Sequence, residues 1–250
     1  MLRTTTIRQL SSTSGALRNV AVVLSGCGVY DGSEIHEASA CLVHLNRHSA
    51  SVRIFAPDTL QKHVINHLTG EIMPETRNVL VESARIARGG QNISSLDKLE
   101  VNQFQAIILP GGFGAAKNLS TFAFDAEQMK VDSHLEKVLK DFVRSRKPIG
   151  LCCISPVIAA KLIPGVRLTL GKMKNLTDNE KKNVFPYSGS VLSAQQMGAE
   201  TQECDINEIC VDDQHRVVTT PAFMKNAPFH EVFDGVGRMV EKVIQMIGTK

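Results

Sequence analysis

A cysteine stands where a short apolar run gives way to a helix start, in Lys147-Pro148-Ile149-Gly150-Leu151-Cys152-Cys153-Ile154-Ser155-Pro156. Ile149 to Leu151 are apolar and few, as the strands of a buried parallel sheet are. Ser155-Pro156, followed by Val157-Ile158-Ala159-Ala160-Lys161-Leu162, opens a helix, because the fixed φ of proline suits the first helical turn. A thiol at that corner lies beside unpaired helix N–H groups and the positive end of the dipole, which favours thiolate over thiol. The pattern is that of a nucleophile elbow with sulfur in the place of a serine oxygen.

Two other segments could complete such a site. Leu109-Pro110-Gly111-Gly112-Phe113-Gly114 puts glycines at a strand end, where backbone N–H groups can face a ligand. With the N–H of Ile154, that of Gly112 could form an oxyanion hole for charge developing on a carbonyl oxygen. A turn that is glycine-rich only for tight packing is the alternative. Asp31-Gly32-Ser33-Glu34-Ile35-His36-Glu37 opens a helix and carries two acids, Glu34 and Glu37, about one turn apart. They either complement the helix dipole or supply a carboxyl buried beside the sulfur, kept protonated and able to act as a general acid and base. The glycines fail a dinucleotide fingerprint, since Lys117 and Asp31 stand where a further glycine or alanine is required. Six cysteines include no Cys-x-x-Cys pair. Reduced thiols are expected, with no metal and no cofactor.

The elements that must position these residues alternate between strand and helix. Asn19 to Leu24 is a near-continuous apolar run that stops at Ser25-Gly26-Cys27-Gly28. Residues 34 to 46 can form a helix with Ile35, Ala38, Leu42 and Leu45 on one face. Val52 to Phe55 and Ala106 to Leu109 read as strands, and Leu135, Val138, Leu139, Phe142 and Val143 as a helix feeding the elbow strand. Residues 60 to 99 are long for a connection, contain a helix-like piece at 78 to 88, and should decorate the sheet edge. Residues 171 to 182 read as a solvated loop. Ile209 to Val211 and Val217 to Thr219 form a hairpin-like pair, and the last helix carries Val232, Val236, Val240, Val243 and Ile247. Such alternation predicts a single doubly wound α/β domain with a largely parallel sheet and helices on both faces. Its site belongs at the carboxyl ends of the strands, where loops 26–32, 110–114 and 152–155 meet.

Composition narrows the function classes. A formal net charge of +3 spread along the chain gives no basic patch, and tryptophan is absent, so nucleic acid is not expected as a partner. No apolar run reaches membrane-spanning length, and no membrane partner is expected. Residues 1 to 18 contain Arg3, Arg8 and Arg18 among many serines and threonines, with no acid. That composition predicts a mitochondrial transit peptide and a matrix location. If the leader does not function, the protein is a cytoplasmic one with a disordered tail. The folded domain is then 19 to 250.

These residues also carry a resemblance. Pro110-Gly111-Gly112, Cys153-Ile154-Ser155-Pro156 and Glu37 resemble the PfpI/ThiJ branch of the class I glutamine amidotransferase-like proteins. Longer stretches are similar to the bacterial ElbB glyoxalase-like proteins and their mitochondrial counterparts in animals: residues 24 to 38, Glu75-Thr76-Arg77-Asn78-Val79-Leu80, residues 111 to 120 and Val218-Thr219-Thr220-Pro221-Ala222. The likeness runs from about Val20 to the C-terminus. It implies a flavodoxin-like fold, a homodimer, a nucleophile at Cys153 (three before Pro156) and a glutamate at Glu37 (five after Gly32), with Glu34 second. Cys152, in the preceding strand position, should point elsewhere.

One departure from those relatives bears on chemistry. Ile154 occupies the position where protease-like members often carry histidine, and Val217-Val218-Thr219-Thr220-Pro221 lacks a His-Pro-Glu signature. Glutamine and peptide hydrolysis are therefore not expected, since each needs a base that moves a proton to the leaving amine. His36 or His215 could approach the site, but each reads more simply as a solvated residue. A cysteine and a carboxyl without histidine suit addition to a small 2-oxoaldehyde, glyoxal or methylglyoxal, with the carboxyl shuttling a proton between adjacent carbons. Cys153 is then the nucleophile, Glu37 the shuttle, and the N–H groups of Gly112 and Ile154 polarise oxygen. The alternative is a redox-responsive binding or regulatory protein whose Cys153 oxidises to a sulfinate and turns over little or nothing. A third possibility is a scaffold whose site is degenerate.

Overall fold

The computed structural model describes residues 18 to 248. All but the last residue of the expected transit peptide lie outside them. In chain order the elements are β1 (Asn19–Val23), α1 (Ile35–Arg47), β2 (Ser51–Ala56), α2 (Val79–Ile86), β3 (Ile93–Ser95), β4 (Ala106–Leu109), α3 (Phe113–Lys117), α4 (Phe122–Asp125) and α5 (Ser133–Arg144). There follow β5 (Ile149–Cys152), α6 (Pro156–Leu162), β6 (Arg167–Leu168), α7 (Asp178–Asn183), α8 (Gly189–Gln196), β7 (Glu200–Thr201), β8 (Cys210–Asp212), β9 (Val217–Thr220) and α9 (Phe229–Met246).

The main sheet runs β3-β2-β1-β4-β5-β9-β8 and is parallel except for the β8–β9 pair, while β6 and β7 pair separately. Its inner strands are apolar without alternation because both faces are covered: Val20, Ala21, Val22, Ile107, Ile108 and Leu109 are all 0% exposed. Register follows, with Val22 opposite Ile108 and Ile108 opposite Gly150. The chain leaves β1 in one direction to β2 and β3, and in the other from β4 to β5 and β9. Right-handed crossovers therefore put the β1–β2 helix and the β4–β5 helix on opposite faces. This is the doubly wound, flavodoxin-like fold, with its switch point between β1 and β4.

The long helix α9 buries Val232, Val236, Val240 and Val243. Each such side chain contributes about 1.5–3 kcal/mol of transfer free energy.

Several expectations are corrected. Ile35 is 44% exposed, so the buried face of α1 is Glu37, Ala38, Ala40, Cys41 and Leu45. The polar stretch 171–182 is not all loop. Thr177 and Glu180 form a reciprocal capping box that starts α7, a local pairing that hydrophobic periodicity does not reveal. Residues 60 to 99 do more than decorate an edge. β3 does extend the edge beside β2, but residues 60 to 78 brace the loop after β1. There Asp31 Oδ2 accepts the N–H of Ile65 at 2.7 Å, and His67 Nε2 accepts that of Tyr30 at 3.2 Å. Asn118 closes the same corner, donating to the carbonyls of Ser25 and Asp31. The first loop of the site is thus held from two sides.

Candidate active site

The elbow is built from three short connections. Cys153 sits at φ 59°, left-handed backbone that costs a non-glycine residue about 1–2 kcal/mol. Its N–H donates to the carbonyl of Thr220 at 3.1 Å, tying the turn to the end of β9. The buried Ser155 hydroxyl accepts the N–H of Cys152 at 3.1 Å and lies 2.9 Å from the carbonyl of Leu109, which locks the elbow to the end of β4. Pro156 occupies the first turn of α6, as its fixed φ allows.

Glu37 approaches from the first turn of α1 and is 0% exposed. Glu34 caps that helix, its Oε2 accepting the N–H of Glu37 at 2.7 Å. The Glu37 carboxyl accepts the N–H of Gly111 at 3.0 Å on Oε2 and that of Phe223 at 3.1 Å on Oε1. The Cys153 side chain lies next to it across Gly111. Gly111 is the wedge between the two groups: a Cβ there would lie 2.4 Å from Cys153 Cβ and 2.6 Å from Glu37 Oε2. Gly112, at φ 92°, would drive a Cβ to 2.3 Å from both Glu34 N and Gly32 O. The loop is thus tightly packed, and Gly112 also lines the cavity.

Electrostatics correct the expectation of a resting thiolate. Burial first, then the carboxylate of Glu34, pushes Glu37 up to about 8, against the N–H groups of Phe223 and Gly111 and the thiol of Cys153. Burial, and next the charge of Glu37, hold the Cys153 thiol well above its ordinary value. The neighbouring N–H groups of Gly112 and Ile154 oppose this without reversing it. The short helix behind the elbow is outweighed by the loss of water and by an acid neighbour. Both shifts favour the protonated forms of the pair.

Cys153, Glu37, Gly112 and Ile154 come together at one place. Cys152 does not line the cavity above Cys153. It is fully buried, but against the expectation that it points elsewhere its thiol donates a hydrogen bond to Glu37 Oε2 at 3.8 Å. His36 does line that cavity, its Nδ1 2.7 Å from Glu34 Oε1, whereas His215 is paired with Asp212 at 2.7 Å beside the β8–β9 turn. His44 and His48, and His63 and His67, have helical ligand spacing. Among the described residues no group of three His, Cys, Asp or Glu side chains gathers that could hold a metal ion.

The cavity, about 400 Å³, is walled by Tyr30, Phe113, Tyr187, Phe223 and Phe229 together with Cys153, Gly112 and Ile154, while Glu37 lies behind this lining. Sequence reasoning does not identify these walls. The loop after β9 was findable in principle: β9 runs parallel to β5, so its carboxyl end opens on the same edge and carries Phe223 there. Tyr187 lies in the 171–196 region that breaks sequence periodicity, and nothing local marks it.

This fold with a cysteine elbow belongs to the class of amidotransferase-like α/β proteins. A crystal structure of an isoprenoid biosynthesis protein with an amidotransferase-like domain from Ehrlichia chaffeensis superposes with a TM-score of 0.80 at 33% identity, covering 92% of this chain and 99% of that one. Glyoxalase III from Candida albicans has the same fold, with a TM-score of 0.56 at 17% identity over 92% of this chain and 97% of that one. The ES1 protein homolog, mitochondrial, of Rattus norvegicus is 53% identical over 230 residues, 92% of this chain and 84% of that relative. No protein-family model matches the chain. The chain belongs to the ES1 family, and it is mitochondrial, as the composition of its first residues leads one to expect.

Proposed function

We propose that this protein is a cofactor-independent, glyoxalase-like enzyme that converts small 2-oxoaldehydes to 2-hydroxy acids. The observation that carries this reading is the buried Glu37 carboxyl beside Cys153, both within 2.6 Å of where a Gly111 Cβ would lie, with Cys153 lining a cavity and Ile154 where a histidine could have stood. The same fold serves a glyoxalase III, a support at the level of fold only.

The chemistry uses Glu37 in both protonation states, which a value of about 8 makes available near neutral pH. Its carboxylate form takes the thiol proton as sulfur bonds to an aldehyde carbon of glyoxal, and the aldehyde oxygen is protonated to give a hemithioacetal. Glu37 then removes the hydrogen from that carbon and returns it to the neighbouring one. One carbon is oxidised and the other reduced, with no external electron carrier. The product is a thioester of Cys153, which water hydrolyses to glycolate and the free thiol. Gly112 and Ile154, which line the cavity with Cys153, donate their N–H groups to the oxyanion as it forms beside the sulfur in this reading. No amine leaves, so no histidine is needed.

The alternative, a redox-responsive protein whose Cys153 oxidises, draws on the same cysteine, and burial of the thiol, which raises its pKa, disfavours it. Glyoxal turnover by the purified protein and by Cys153→Ala tests the proposal. A rate abolished by the substitution supports it, and equal rates for the two proteins end it.

A further inference from the structure

The cavity over Cys153 is larger and more aromatic than glyoxal requires. A molecule no bigger than a few waters, at roughly 30 Å³ each, leaves most of the about 400 Å³ empty. Cavities of this size ordinarily bury a ligand with a substantial apolar body. Two sets of rings form the walls. Phe113 and Tyr187 meet edge to face at 5.6 Å between centroids. Phe229 lies 4.5 Å from the His36 ring and 5.9 Å, edge to face, from Phe223.

The outer rings are poorly covered: Phe229 is 63% exposed, Tyr30 39% and Tyr187 38%. Aromatic surface gathered at a cavity mouth and left to water marks a place where a ligand is meant to cover it. Glu34 holds His36 by its Nδ1, so this ring is fixed as part of the wall. Offset or edge-to-face contact with a bound ring is the geometry these side chains offer.

We infer that the site takes 2-oxoaldehydes bearing an aromatic group, R–CO–CHO with R an aryl ring, in preference to glyoxal. The inference rests on the reaction proposed above and specifies its substrate class. The aldehyde carbon bonds to Cys153 sulfur, the adjacent ketone carbon receives the hydrogen moved by Glu37, and the ring fills the space between Tyr187 and Phe229. Phenylglyoxal is the simplest such compound, and its product is mandelate by the same balanced isomerisation and hydrolysis.

The test measures kcat/KM for phenylglyoxal and glyoxal with the wild-type chain and Phe229→Ala, using Cys153→Ala to supply the background from arginine modification. Calorimetric titration of Cys153→Ala with mandelate and with lactate runs in parallel. The expected result is a preference for phenylglyoxal of at least about tenfold, the discrimination a small apolar increment achieves in a fitted pocket. Phe229→Ala should lower the phenylglyoxal constant more than the glyoxal constant. Cys153-dependent turnover with glyoxal equal or better would overturn the substrate class while leaving the reaction standing. If neither compound is turned over, the reaction fails and titration decides the site: mandelate binding tighter than lactate, and weakened when Phe229→Ala is added, upholds an aromatic ligand. Equal or absent binding overturns it.

Discussion

Replacing Glu37 by glutamine should change how stability depends on pH, and the size of the change follows from the site. Folding raises this carboxyl from its ordinary 4.5 to about 8, with burial as the leading cause. The folded state therefore prefers the protonated form. Its stabilising effect is complete below the unfolded value, is lost as pH rises towards about 8, and changes no further above that. The interval from 4.5 to about 8, at about 1.4 kcal/mol per pH unit, sets a ceiling of about 5 kcal/mol. That value already includes the N–H groups of Gly111 and Phe223, and because part of the loss falls below pH 5, about 3–4 kcal/mol of it falls between pH 5 and pH 9.

Glutamine cannot ionise, so Glu37→Gln should not show this loss. It carries a separate, pH-independent cost. Both carboxyl oxygens accept backbone N–H groups, and an amide must turn its own NH2 towards one of them, which costs about 1–3 kcal/mol. The variant is therefore expected to be less stable than wild type at pH 5 and to gain on it by about 3–4 kcal/mol by pH 9. Urea unfolding of both proteins at several pH values, under reducing conditions, measures this difference. A difference that stays flat from pH 5 to pH 9 would mean that Glu37 titrates as an ordinary surface acid, and the proton shuttle would lose its physical basis.

Other perturbations follow from the same geometry. The alkylation rate of Cys153 by iodoacetamide should climb steadily from pH 7 to pH 9, because its pKa is raised; a plateau near pH 6 to 7 would reveal a stable thiolate instead. Gly111→Ala should cost about 1–3 kcal/mol from overpacking and, by parting Cys153 from Glu37, about a hundredfold in turnover. Urea midpoints and steady-state rates report the two effects. Cys153→Gly should be about 0.5–1 kcal/mol more stable than Cys153→Ala, reversing the usual order of these residues, because the elbow sits at φ 59°. Ser155→Ala should lose about 1–3 kcal/mol in urea, since it strands the buried N–H of Cys152 and removes the tie to Leu109.

Much of the scaffold is legible in the chain because the physics there is local or strongly periodic. β4 and β5 are apolar runs ended by Pro110-Gly111-Gly112 and by the elbow, and the hydrophobic stripe of α5 has helical spacing. An acid of the Glu34–Glu37 pair can be placed beside the elbow because the β1, β4 and β5 loops meet at one edge, and the resemblance singles out Glu37. The protonation state cannot be read the same way. A dipole at the start of α6 is visible in Ser155-Pro156, whereas the burial that outweighs it depends on the whole fold. The cavity walls are equally hidden. Phe223, Phe229 and Tyr187 come from separate parts of the chain, and only tertiary structure sets them around Cys153.

The covalent intermediate on Cys153 is the most direct measure of the proposed reaction. Intact-mass spectra of protein mixed with glyoxal and quenched at short times should show one bound glyoxal, mapped to Cys153, that decays at the rate glycolate appears. No adduct at Cys153, an adduct that persists without releasing glycolate, or glycolate formed equally by Cys153→Ala would contradict it.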